Sequence, residues 1–336
     1  FGILGNGNDS DDDDNEYSDY SDSCMQQVVF ASQHSLALLS AGLTSGLSLN
    51  VGSLNSTIVP IYECCRMMPP HSFNHEPRYM GEIPIGGSTL TQILGRIISA
   101  ESNSAVHLEQ TSTGMEILKS IKEQLCFVSK ASVASDTINA NHHQTTATTA
   151  VTNYKMERYK LPDGVELKLT WERYACPEFL FNPQFDSRMF SPVYDHYRGG
   201  GGSSSALHVS ADAGNSTGGS IDSVSKMGLC EMAFESITTL KELYGKDLEA
   251  VYSNLVLFGG STQFLGFGNR FCKDLNTLLL PTQQEVNVYM RKDGQDAPLV
   301  GAQVLLQMPN VLDGMAITYD EFNEMGPSVI QRKMFM

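Results

Sequence analysis

The stretch LSLNVGSLNSTIVPIYE, Leu47–Glu63, reads as a strand, a glycine turn and a second strand. Leu47, Leu49 and Val51 alternate with small polar residues, as a strand against a core does. Gly52 lets the backbone reverse sharply, and Ile58, Pro60 and Tyr62 against Val59 and Ile61 predict a second, twisted strand paired with the first. Such a hairpin can hold phosphates by backbone N–H groups. Its tip carries Asn50 and Ser53, both neutral, so it offers no carboxylate to hold a magnesium ion or orient an attacking water.

Around this hairpin the chain reads as α/β. Ala31 to Ala41 predicts a helix ended by Gly42 in a left-handed cap. Ser88 to Ser99 puts Leu90, Ile93, Leu94, Ile97 and Ile98 on one helical face, with Ser88 as the cap. Thr113 followed by Glu116 forms a capping box for a helix through Val128, with Ile117, Ile121, Leu125 and Val128 inward. The turn Pro162-Asp163-Gly164 introduces the alternating strand VELKLT. Leu255 to Phe258 is a short buried strand that stops at Gly259 and Gly260, with a helix a few residues later. Strands alternating with helices predict an α/β fold.

Three segments carry little to bury. Residues 1–23 hold an acidic tract around Asp11 to Asp14, which repels itself and predicts a disordered segment. Residues 131–152 are rich in Thr, Ala and Asn, and the stretch 186–225 contains GGGGSSS and AGNSTGG; both predict flexible loops within a region spanning 24–336.

At 336 residues the chain is long enough for a sizeable core, and 41% hydrophobic residues suit a globular protein. The formal charge of −16, with no basic stripe, argues against gripping nucleic acid or anionic membrane. No run of apolar residues is long enough for a membrane span, and the start lacks the pattern of a signal peptide, so the expected location is intracellular. Seven scattered cysteines without a CxxC pair read as reduced thiols, vicinal Cys64 and Cys65 included. His142 and His143 lack a third ligand nearby and read as part of a solvated loop, so no metal site is expected.

Four strings, in order, resemble the actin family. They are the VPIYE hairpin; LPDGVELKLTWERYACPEFLFNPQF, Leu161–Phe185; SNLVLFGGSTQFLGFGNRF, Ser253–Phe271; and MGPSVIQRKMF, Met325–Phe335. The resemblance implies the fold of actins, sugar kinases and the Hsp70 ATPase, two α/β lobes around a nucleotide cleft. ILGNGND near the start is the one stretch similar to the family's first phosphate turn, which implies that much of the first lobe is missing or not included.

The resemblance also assigns roles. It places Lys122 and Glu123 at the adenine and ribose, and Gly52, Gly259 and Gly260, with Ser261 and Phe264 nearby, around the nucleotide. From the residues alone, Lys122 and Glu123 read rather as a solvated helix face, and Gly259 and Gly260 equally well as a plain strand-to-helix turn. Gln33 falls on the glutamine that positions the hydrolytic water. Asn50 and Ser53 fall on the two catalytic aspartates, Thr57 on an assisting histidine, and Gln295 on a basic residue near the adenine. The implied cofactor is ATP or ADP, with magnesium in doubt because in-line attack on a γ-phosphate depends on the metal and its acidic partners. Two functions follow as expectations. One is a divergent actin-related structural subunit of a cytoskeletal or chromatin-associated assembly, with actin-like or other complex subunits as partners. The other is an actin-like ATPase that polymerises.

Overall fold

The computed structural model describes residues 27–67, 79–101, 108–130, 155–183 and 227–334. The predicted loops at 131–152 and 186–225, the acidic segment 1–23, the ILGNGND stretch, Cys24, His142 and His143 lie outside the described residues.

Strand β1, Gln27–Val28, leads into helix α1, Gln33–Ser40, and then into the hairpin of β2, Gly46–Val51, and β3, Ser56–Tyr62. The pairing is antiparallel, with Leu47 opposite Pro60 and Asn50 opposite Thr57. Two short strands, β4, Cys65–Arg66, and β5, Gly81–Ile83, pair with the outer edge of β3. Pro60 falls between the residues those two strands cover, where its missing N–H interrupts no ladder; its carbonyl accepts from the Met67 N–H at 3.0 Å. On the other side β2 pairs in parallel with β8, Asn254–Phe258, which pairs in parallel with β9, Asn287–Met290. The result is a mixed six-stranded sheet, and the expected α/β fold is the one observed.

Every residue of β2 is buried, so its alternation separates two covered faces and not core from solvent. Leu47, Leu49 and Val51 enter the main core with Ile58, Leu90 and Ile121. On the opposite face Ala37 and Leu38 of α1 pack with Val59, Ile61 and Phe258. A hydroxyl can sit there because it is satisfied: Ser48 Oγ donates to the His34 carbonyl at 3.2 Å.

Helix α1 stops as expected, with Gly42 at φ +73° and its N–H donating to the Leu39 carbonyl at 2.9 Å. Two other helices have ends that differ from expectation. Helix α2, Gly87–Glu101, starts one residue before Ser88, and its cap comes from the hairpin: Gly87 and Ser88 donate their N–H groups to the carbonyls of Gly52 and Ser53 at 2.9 and 2.8 Å. Helix α3, Ser112–Leu125, is capped by Thr111 and not Thr113, through Oγ1 accepting from Gly114 N–H at 3.0 Å. It ends at Leu125 because the next residues are drawn off into extended pairing, with Phe127 N–H on Arg173 O and Val128 N–H on Leu265 O.

The Pro162-Asp163-Gly164 turn joins β6, Glu157–Lys160, to β7, Glu166–Leu169, with Gly164 at φ +90°. Helices α4, Glu172–Glu178, α5, Leu229–Tyr244, and α6, Glu249–Tyr252, precede β8; α7, Phe267–Leu279, follows it. A buried ion pair fixes α7 to α4: Arg270 meets both carboxylate oxygens of Glu178 at 3.0 and 3.1 Å and donates to Ser129 O at 3.1 Å. Beyond β9, α8, Ala297–Leu306, packs so closely on α1 that a Cβ on Gly301 would lie 1.8 Å from the Leu36 carbonyl oxygen. Helix α9, Pro309–Met315, then leads to β10, Ile317–Thr318, paired with β1, and to α10, Tyr319–Met325, and α11, Ser328–Lys333. The six described cysteines are free thiols. No helix among the described residues is long and apolar enough to cross a membrane.

Candidate functional site

A cleft of about 870 Å³ opens between the hairpin tip, the N-terminus of α2, helix α3 and the turn after β8. That volume falls in the range of small-molecule sites. Of the residues the sequence singled out, Gly52 and Ser53 line it at one end, Lys122 and Glu123 along α3, and Gly260, Ser261, Phe264 and Gln295 across from them. Lys119, Lys122 and Arg173 face Glu116 and Glu123 there, so in a chain of charge −16 the cleft has more basic than acidic groups.

Lys122 is not the solvated side chain its helix position allowed. It is 7% exposed, and its Nζ donates to Gly87 O at 2.7 Å and to Thr91 Oγ1 at 2.9 Å. Burial lowers its pKa from the ordinary lysine value. The ammonium is thereby held at the start of α2, where helix polarity and the hairpin tip converge. Glu123, one residue on, is exposed at the rim. At the far end, Arg173 lies over the Phe127 ring at 5.1 Å and donates to Leu125 O at 2.9 Å, so the cleft ends in flat, rigid surfaces that suit a planar base.

The glycine turn after β8 has a steric cause. Gly259 sits at φ +103°, and a Cβ there would lie 2.5 Å from Val51 O and 2.6 Å from Asn50 Oδ1. The turn is locked by Gly259 N–H on Gly294 O at 3.0 Å, which also brings neighbouring Gln295 to the cleft. On the hairpin side, Gly52 N–H is engaged within its own turn by Asn55 O at 3.1 Å.

The residues aligned with hydrolysis fall elsewhere. Gln33 is exposed in the first turn of α1, while Asn50 and Thr57 face α1 in one row across the sheet, with Phe258 alongside. None of these three lines the cleft, and Gly259 lies beneath it. Sequence reasoning missed a fourth member of the group, His34, 8% exposed, whose Nε2 is 3.2 Å from Thr57 Oγ1 and whose Nδ1 is 3.3 Å from Ser48 Oγ. Burial pushes its pKa down to about 4, so the ring is neutral at pH 7. The legible signal was a polar residue on the inward stripe His34, Ala37, Leu38 of α1.

The cleft has room for a molecule of nucleotide size, with Lys122 toward the hairpin and Arg173, Phe127 and Phe264 at the other end as the residues that could hold it. The hairpin does not fit magnesium. Ser53 Oγ and Ser88 Oγ share a hydrogen bond at 2.9 Å, Asn50 contributes a neutral amide, and among the described residues no cluster of three His, Cys, Asp or Glu could hold a metal.

The mixed sheet, the hairpin packed on a helix N-terminus and the glycine turn opposite it define the class as an α/β protein of the actin-type ATPase fold. The family model for actin matches residues 23–335, and the chain belongs to the actin family. It is 27% identical over 305 residues to actin-like protein 7A of Homo sapiens and of Macaca fascicularis, and 28% identical to that of Mus musculus. Each match covers 91% of this chain and 54% of the relative, so the chain spans about half the length of the curated relatives it matches.

Proposed function

We propose that this chain belongs to a divergent actin-related protein that binds ATP or ADP in the cleft and serves as a structural subunit of a cytoskeletal or chromatin-associated assembly, with little or no nucleotide hydrolysis. The carrying observation is the buried Lys122, held at the start of α2 in a cleft with more basic than acidic groups, while the hydrolytic positions Asn50, Ser53 and Thr57 are all neutral. Lys122 attracts phosphate charge toward the hairpin. Arg173, Phe127 and Phe264 stack or flank the base, and Gly260 allows close backbone approach. No carboxylate in the Asn50 and Thr57 row can take a proton from an attacking water, and neutral His34 already shares a hydrogen bond with the Thr57 hydroxyl. The acidic surface suits protein partners in the cytoplasm or nucleus better than nucleic acid or membrane.

A fluorescent ATP analogue titrated against the full chain tests the reading. Saturable binding that unlabelled ATP or ADP displaces supports it; no displaceable binding contradicts it. The second reading, a polymerising ATPase, is favoured by exposed Gln33 beside the His34 and Thr57 pair. It requires filaments that sediment in Mg-ATP, which the first reading does not expect.

A further inference from the structure

We infer that β9 is a self-association edge, pairing antiparallel with β9 of a second copy of this chain so that the sheet continues across a twofold axis at Val288. The inference goes beyond the nucleotide reading and does not rest on it, since none of its residues lines the cleft. Strand β9 ends the six-stranded sheet, and among the described residues it pairs with β8 alone. Asn287 N–H donates to Ser253 O at 2.8 Å, on the β8 side. In a parallel ladder the backbone groups of successive residues alternate between the two sides, so those of Val288 and Met290 point away from β8, where no described residue meets them. Such an edge is a template for another strand.

What selects a second copy over any other extended chain is the charge pattern. Glu285 and Arg291 lie equally far from Val288 in opposite directions along EVNVYMR, Glu285–Arg291. Antiparallel pairing with Val288 opposite Val288 therefore sets Glu285 opposite Arg291 on both sides of the axis, with Val286 opposite Met290 and Asn287 opposite Tyr289. No like charges meet in this register. Both charges are available for it: Glu285 is exposed and has no ion-pair partner among the described residues. The Arg291 side chain is 38% exposed, and its ion pair, from Nη2 to Asp293 Oδ2, is long at 3.5 Å. Its Nε is buried without an acceptor, so the guanidinium has capacity for a second carboxylate. A hollow of about 360 Å³ bounded by Arg291, Ala41, Tyr289 and Ala297 leaves room beside it for the incoming side chain. Met290, 43% exposed, gains apolar cover from Val286 of the second copy.

The test is sedimentation velocity of the full chain over a concentration series, for the wild type, Glu285→Arg, Arg291→Glu and the double exchange. The wild type should show a monomer–dimer equilibrium. Each single reversal puts like charges opposite each other at both pairs and should weaken the dimer about tenfold or more, whereas the double exchange should return it to within about threefold of the wild type. Should one single variant fail to melt cooperatively, the other decides together with the double exchange. A wild type that stays monomeric at every concentration overturns the inference. So does a dimer that the single reversals leave unchanged or that the double exchange does not restore. An ADP titration of the same samples keeps the two readings apart: a monomer that binds ADP overturns the self-association alone, and a dimer that does not bind ADP overturns the nucleotide reading alone.

Discussion

The two sides of the β2–β3 hairpin differ in what their polar groups are doing. On the cleft side, Lys122, Arg173 and the Gly259 turn are each fixed by hydrogen bonds or ring contacts and converge on one volume. On the α1 side, Gln33 is exposed, Asn50 is neutral and Thr57 is taken up by neutral His34. A scaffold of this kind can keep the geometry that holds a ligand while losing the charges that would react with it, because holding depends on shape and buried donors, and reaction on carboxylates.

The largest predicted break is in the packing of α7 on α4, which also anchors the segment after α3. Arg270→Ala removes the cation that meets both carboxylate oxygens of buried Glu178 and the donor to Ser129 O; it should cost about 3–5 kcal/mol by urea denaturation. On the α1 side the corresponding handle is acid. His34 has a folded pKa of about 4, below its ordinary value, so the neutral ring stabilises the fold above pH 6.5 and that contribution is lost as pH falls through 4. Across that window the wild type should lose roughly 3 kcal/mol more than His34→Gln, measured by melting at stepped pH.

Smaller effects separate the sides more sharply. Lys122→Met should weaken ADP binding about tenfold or more, read by titration, because its ammonium is the buried cation at the hairpin end of the cleft. Gln33→Ala should leave ADP affinity within about twofold and stability within about 0.5 kcal/mol, because that side chain is exposed and away from the cleft. A large loss of ADP affinity in Gln33→Ala would erase the contrast.

Much of this was legible in the chain. The hairpin itself was legible in the alternation of Leu47, Leu49 and Val51 and in the turn at Gly52, since a period of two puts every second residue on one face. The amphipathic stripe of α2 was legible for the same kind of reason. Helix starts were less so: Thr111, Ser112 and Thr113 are all competent caps, and α2 is capped by carbonyls distant in sequence. The burial of Lys122 was not legible either, because a lysine followed by a glutamate on a helix looks solvated until Gly87 and Thr91 are brought beneath it. His34 could be seen only as a polar residue out of place on an apolar face.

The most direct test is to incubate the full chain with Mg-ATP, remove free nucleotide and analyse what stays bound. Retained binding without turnover predicts intact ATP and no released phosphate over hours. Bound ADP, accumulating with released phosphate at a rate that Gln33→Ala lowers, would contradict it.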